Sequence, residues 1–259
     1  MLVDLHNHTP LCNHAKGNIE EYIEKAIEKN IKYFGFSDHA PMEFDKKYRM
    51  SFADMKNYEK SVLLAKEKYK DKIEILLAYE VDFIPKYLDR RVLEAKVDYL
   101  IGSVHFLDEW GFDNPEFEDE YKNRDIDTIY QDYFNEIEKM AKSGYFQIVG
   151  HIDLIKVMGY RSKKDVRLIA KDAIKAIKEA DLTVELSSAG LRKKAKKIYP
   201  SDEIMELLSE KDIPITFSSD AHHPKQVGFE SERLIKKAKE FGYSKCAIFK
   251  DRQREMIEF

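Results

Sequence analysis

Cysteine is almost missing from this 259-residue chain: only Cys12 and Cys246 occur, and no CxxC pairs them. That argues against a disulfide framework or a thiolate zinc site, and for a reducing compartment. No apolar run approaches the length of a bilayer span, and the N-terminus lacks a basic-then-apolar signal pattern. A cytoplasmic protein without a membrane partner is expected. Gly-rich phosphate loops, G-x-S-x-G elbows and nucleotide fingerprints are absent too. The formal net charge of −4 gives no reason to expect nucleic acid as a partner. No low-complexity segment or Pro/Gly/Ser-rich linker divides the chain, so a single domain over residues 1–259 is expected.

What is present is histidine, in particular places. The segment Leu2–His6 reads as a short strand and runs into Asp4-Leu5-His6-Asn7-His8, with His14 close behind. Side chains two apart on a strand point the same way, so His6 and His8 offer two imidazoles to one side. Neutral imidazole is the commonest metal-donating side chain, and two converging rings make half a site.

The remaining pattern alternates strand and helix. Asn18 with Glu21 opens a helix carrying Ile19, Tyr22, Ile23, Ala26 and Ile27 at helical spacing. Apolar runs at 33–37, 73–78, 97–104, 146–150, 182–186 and 213–218 read as buried strands. Between them lie helices near 51–70, 87–95, 127–142, 165–179 and 201–210, with a last helix at 230–241 and a short strand at 246–249. Such alternation with short connections predicts a parallel sheet. At this length it favours one α/β, TIM-like barrel of seven strand–helix units.

His6, His8, His14, His39, His105, His151 and His222 all fall at or just after the C-terminal end of an expected strand, as do Glu80 and Asp220. On α/β barrels that rim carries the active site, because its loops converge on one mouth. Nine such donors exceed what one catalytic ion takes, and they suit two or three divalent ions: zinc, manganese or iron. A carboxylate such as Glu80 can bridge a pair, and paired ions serve phosphoryl displacement.

The set D-L-H-N-H, C-N-H-A, S-D-H, E-V-D, S-V-H-F, G-H-I-D and S-D-A-H resembles the polymerase and histidinol phosphatase (PHP) family of metal-dependent phosphoesterases. Within it, A-G-L-R-K at 189–193, Ile198-Tyr199-Pro200-Ser201 and S-D-A-H-H-P-K-Q-V-G resemble the stand-alone histidinol-phosphatases of histidine biosynthesis. The resemblance implies a distorted seven-stranded barrel and a trinuclear centre. One ion would take His6, His8, Glu80 and Asp220, a second Glu80, His105 and His151, and a third His14, His39 and His222. It further implies hydrolysis of L-histidinol phosphate, a small phosphomonoester. A PHP esterase for nucleotide or oligonucleotide phosphoesters and a non-catalytic metal-binding module are the alternatives. Glu185-Leu186-Ser187-Ser188 departs from the Asn and Thr expected before Ala189, which bears on substrate contacts and not on the ligands.

Outside the ligand set, Arg192 and Arg161 are candidate phosphate contacts, since a guanidinium fork matches phosphate oxygens. For Arg192 the alternative is a solvated arginine in the basic run 192–197. Asp220 and His222 are the candidates for handling the leaving group's proton. The connection 106–125 holds the only tryptophan, Trp110, with aromatic and acidic residues that either form a lid or are simply solvated. Cys12 reads as packing, and His223 as solvent-facing or supporting its neighbour.

Overall fold

The computed structural model describes residues 1–259. The chain opens with β1 (Val3–Asp4), α1 (Ile19–Glu28), β2 (Tyr33–His39) and α2 (Met55–Tyr69). Next come β3 (Glu74–Asp82), α3 (Arg90–Leu93) and β4 (Tyr99–Ser103). The long connection carries the small hairpin β5 (Phe106–Leu107) and β6 (Trp110–Gly111), then α4 (Glu120–Asn123). After it follow α5 (Ile126–Lys142), β7 (Ile148–Val149), α6 (Val166–Glu179) and β8 (Thr183–Ser187). The chain ends with α7 (Asp202–Glu210), β9 (Ile215–Ser218), α8 (Ser231–Glu240) and the hairpin β10 (Lys245–Lys250) and β11 (Gln253–Glu258).

Seven strands pair in parallel in the order β1-β2-β3-β4-β7-β8-β9. The two ends of that order meet: Leu5 N donates to Phe217 O at 3.0 Å and His8 N to Ala221 O at 2.9 Å. The result is the seven-stranded TIM-like barrel expected, around one core cluster of 72 buried residues. Both faces of its strands are covered, as in β3, buried from Ile75 to Asp82.

Asp4 staples the closure. Its Oδ1 accepts from Ser219 N at 2.8 Å, and its Oδ2 from Ser219 Oγ at 2.6 Å and Gly228 N at 3.0 Å. Burial still outweighs these bonds and pushes the Asp4 carboxyl up to about 6. Across the interior, Tyr99 Oη donates to Leu5 O at 2.6 Å. A Cβ on Gly35 would fall 1.8 Å from that hydroxyl, so glycine alone leaves room for the tyrosine.

The helices form where the patterns place them. Asn18 and Glu21 make a reciprocal capping box at the start of α1. Helix α6 buries Ile169, Ala170, Ala173, Ile174 and Ile177 on one face.

Four elements differ from expectation. Strands β1 and β7 have only two residues each, and beyond them single bonds continue the pairing, Leu5 N to Phe217 O at 3.0 Å and Gly150 N to Gly102 O at 2.9 Å. The strand at 246–249 lies outside the barrel sheet, paired antiparallel with β11. Arg252 Nη2 ties its turn to Leu93 O and Ala95 O at 2.7 and 3.0 Å. Helix α3 is a single turn where 87–95 was expected. No helix is long and apolar enough to cross a membrane.

Candidate metal centre

Register places the donors. Strands β2 and β3 pair His39 with Glu80, and β3 and β4 pair Asp82 with Ser103. Glu80 thereby reaches the barrel mouth, almost fully buried, with Ser103 Oγ donating to its Oε1 at 2.6 Å. Five rings converge on this one carboxylate. On the Oε2 side stand His6 Nε2 at 3.2 Å, His8 Nε2 at 3.6 Å and His39 Nδ1 at 3.0 Å. On the Oε1 side stand His151 Nε2 at 2.9 Å and His105 Nε2 at 3.7 Å.

Three compact donor groups contain only nitrogen and oxygen donors: His6, His8 and Glu80; Glu80, His105 and His151; and His14, His39 and His222, each with its donor atoms within 4.8 Å of one another. Asp220 Oδ1 joins the first, 3.2 Å from His8 Nε2. The fold thus brings together every residue of the nine-donor set in the three groupings that the resemblance implied. His222 stacks on His8 with ring centroids 4.0 Å apart, and His14 is the one exposed member.

Whether metal fits can be asked of the atoms. His6 Nε2, His8 Nε2 and Asp220 Oδ1 are fully buried and find no aligned hydrogen-bond partner. A buried polar atom left unbonded costs about 1–3 kcal/mol, so three converging on one place point to a bound cation. The backs of the rings agree. His6 Nδ1 lies 2.6 Å from Glu185 Oε1, His105 Nδ1 2.6 Å from Asp82 Oδ1, and His8 Nδ1 3.3 Å from Asp38 Oδ1. An ionised carboxylate only accepts, so Nδ1 carries the hydrogen and Nε2 keeps its lone pair for a metal. His14 Nδ1 is backed instead by Cys12 O at 2.8 Å.

The electrostatics match this arrangement. Burial raises the Glu80 carboxyl, but His6, His39 and His105 overcome it and hold it well below the usual range. Asp220 is likewise held well below by His8, His6 and His222 against burial. Burial opposes protonation of His105, yet Asp82 and Glu80 outweigh it and lift the ring to about 10. A proton and a divalent ion are alternative ways of balancing the same carboxylates.

Above the donors opens a cavity of about 690 Å³. Its wall includes Arg192, Lys193, Tyr48 and Tyr199, with Asp113, Glu116 and Phe117 from the 106–125 connection. That connection is ordered by its own turns, and Trp110 Nε1 donates to Phe117 O at 3.1 Å. Arg192 Nη2 donates to Ser219 O and Asp220 O, both at 2.8 Å, while its buried Nη1 has no partner. Arg161 is exposed and stands outside the cavity wall, with Tyr130 beside it. It sits on the loop after β7, ten residues beyond His151.

A PHP domain model matches residues 4–189. The chain belongs to the PHP family. This PHP domain is 34% identical to the probable histidinol-phosphatase of Deinococcus radiodurans over 98% of each chain. It is 28% identical to the histidinol-phosphatase of Bacillus subtilis, over 90% of this chain and 98% of that one. Its fold matches the histidinol phosphate phosphatase of Lactococcus lactis, solved with zinc, L-histidinol and phosphate, at TM-score 0.77 and 17% identity over 98% of each chain.

Glu185, Asp38 and Asp82 were not singled out by motif reasoning. Two of them had a signal: Asp82 lies two residues after Glu80, and Asp38 directly precedes His39. Cys12 is buried as expected of a packing residue, but its sulfur also lies within 4.8 Å of ring nitrogens of His8 and His222. His223 supports its turn, accepting from Lys225 N at 3.1 Å.

Proposed function

We propose that this protein hydrolyses L-histidinol phosphate to L-histidinol and inorganic phosphate, as a metal-dependent phosphomonoesterase of histidine biosynthesis. The observation that carries the reading is full-length likeness to the Deinococcus relative, at 34% identity, joined to the convergence of five rings on Glu80.

His6, His8, Glu80 and Asp220 would hold one ion, Glu80, His105 and His151 a second, and His14, His39 and His222 a third; all-N/O donor sets of this kind suit zinc, manganese or iron. When bound, such ions supply the Lewis acidity that makes water a nucleophile at neutral pH and offset charge on the phosphoryl oxygens. The chain's own groups do the rest. Arg192, anchored through Nη2, directs its free Nη1 at the phosphate. Arg161 is a second phosphate contact only if its side chain swings from Tyr130 to the mouth. Tyr48 and Phe117 with Asp113 and Glu116 form a wall suited to an imidazole ring and a protonated amine.

Asp220 stays ionised beside His8 and His222, which makes it a weak base but leaves its carboxylate able to accept a proton. It takes a proton from the attacking water as the new P–O bond forms. It returns that proton to the histidinol alkoxide as the old P–O bond breaks, with His222 Nδ1 3.4 Å away to orient it.

The test is phosphate release from histidinol phosphate and a panel of phosphomonoesters, ranked by kcat/KM at measured metal content. Equal rates across the panel would leave a general PHP phosphatase and overturn the named substrate.

A further inference from the structure

Arg49 lines the cavity yet has no part in the chemistry above. It lies on the loop after β2, only 3% exposed. Its guanidinium is turned to protein oxygens. Nη2 donates to Asp82 Oδ2 at 2.9 Å and Asp45 Oδ2 at 3.2 Å, Nε to Asp45 O at 3.0 Å, and Nη1 to Ala40 O at 3.4 Å. Asn13 Nδ2 holds its backbone in turn, donating to Arg49 O at 3.0 Å. Arg192, by contrast, keeps a buried nitrogen unpartnered. The two cavity arginines therefore have different work.

Asp82 divides its two oxygens between different partners. Oδ2 takes Arg49, while Oδ1 lies 2.6 Å from His105 Nδ1. We propose that Arg49 is a positioning residue, which pins Asp82 so that His105 presents Nε2 to the ion of the Glu80–His105–His151 group. The inference rests on reading that group as a metal site. A guanidinium is always charged and fixes the plane of the carboxylate it grips. Without it, a 3% exposed carboxylate two residues from Glu80 is free to turn about its χ2 and release the ring. Of the rings backed by a carboxylate, only His105 has its partner held by an arginine. Glu185 is held instead by His151 N, and Asp38 by Thr9 and His39 N. The effect of Arg49 should accordingly fall on one ion and not on the whole centre.

The experiment is zinc titration against a chromophoric chelator, with metal analysis, for wild type, Arg49→Met, Arg49→Lys, Asp82→Asn and the Asp82→Asn/Arg49→Met pair. Arg49→Met should weaken one bound zinc by about tenfold to a hundredfold, the range for partners that orient a ligand, and leave the other zinc equivalents unchanged. Arg49→Lys should recover part of that loss. In the Asp82→Asn background, Arg49→Met should add nothing, since its route of action is already cut. At saturating zinc, KM should stay within about twofold of wild type, because Arg49 does not touch substrate. Melting curves check folding. If Arg49→Met alone does not fold, the charge-preserving Arg49→Lys and the charge-balanced pair carry the comparison. Unchanged zinc affinity, additive losses in the two backgrounds, or a raised KM at full metal loading would each overturn the proposal, the last making Arg49 a substrate contact. Zinc affinity is read without substrate, so the result stands whichever phosphoester the protein hydrolyses.

Discussion

Arg192 is held by the backbone of Asp220: its Nη2 donates to that carbonyl at 2.8 Å, alongside an equal bond to Ser219 O. The anchor leaves Nη1 as the only side-chain nitrogen of the residue that is buried and unpartnered. A solvated arginine of a basic run would be neither fixed nor half-buried, so its position favours the phosphate role over the surface one. Arg192→Ala should lower kcat/KM for histidinol phosphate by about tenfold to a hundredfold, the worth of a charge-assisted bond of roughly 1.5–3 kcal/mol. Arg192→Lys should restore only part, because an ammonium cannot grip the Asp220 carbonyl and the phosphate with one fork. Steady-state kinetics at fixed metal loading decide it, and wild-type rates in both variants would return Arg192 to the surface reading.

Metal removal should do more than stop turnover. The donors come from six of the seven barrel strands or the loops after them, so an ion held only by the native state links them by mass action. Dialysis against a chelator should abolish phosphate release and lower Tm together, and stoichiometric zinc or manganese should restore both. Full activity in protein shown metal-free by elemental analysis would contradict the mechanism.

The barrel and its donor set were legible in the sequence because both follow from periodic rules. Buried strands such as 73–78 are apolar runs, and candidate donors recur where such runs end, so His39, Glu80 and His105 announce themselves. What stayed hidden depends on distance along the chain. Glu185 backs His6 from 179 residues away, and nothing in local pattern links the two. Arg49 looks like an ordinary loop charge until the fold sets it against Asp82, 33 residues on. The strand β11 escaped notice because its residues Gln253, Glu255 and Glu258 are exposed, so it carries no apolar alternation to read. Arg161 is a case where loop proximity to His151 is all that the sequence offers: the fold leaves it exposed beside Tyr130 and outside the cavity wall.

Closure of the barrel gives a prediction about stability. Asp4→Ala would leave Ser219 N and Gly228 N without their acceptor at the closed seam between β1 and β9, while Ser219 Oγ would keep only Asn7 Oδ1 at 3.2 Å. Each buried donor left unsatisfied costs about 1–3 kcal/mol, so a fall in Tm of several degrees is expected even at saturating metal. Asp4→Asn keeps one acceptor oxygen and should fall between. Thermal unfolding followed by circular dichroism reads this directly, and a Tm unchanged in Asp4→Ala would show that the seam holds by backbone bonds alone.

Glu80 provides the sharpest test of the centre, because one carboxylate faces five imidazoles. His6, His8 and His39 stand within 3.6 Å of Oε2, and His151 and His105 within 3.7 Å of Oε1. Glu80→Gln keeps the shape of the side chain and removes the negative charge that two ions would share. It also replaces one acceptor oxygen by an NH₂ donor, which must face either the His6, His8 and His39 nitrogens or those of His105 and His151. Whichever way the amide turns, one of the two donor groups loses an oxygen ligand. Even partners one layer behind a ligand cost about tenfold to a hundredfold in metal affinity or activity, so a bridging ligand should cost at least that. Metal analysis of the variant should therefore show lost equivalents, and kcat should fall with them. The Ser103 Oγ bond to Oε1 at 2.6 Å persists if the amide oxygen takes that place, which would direct the NH₂ toward His6, His8 and His39. The His6–His8 ion would then be the one lost, and supplementing the assay with zinc should restore little. A variant with wild-type metal content and wild-type kcat would make Glu80 a structural carboxylate and remove the basis for a shared pair of ions.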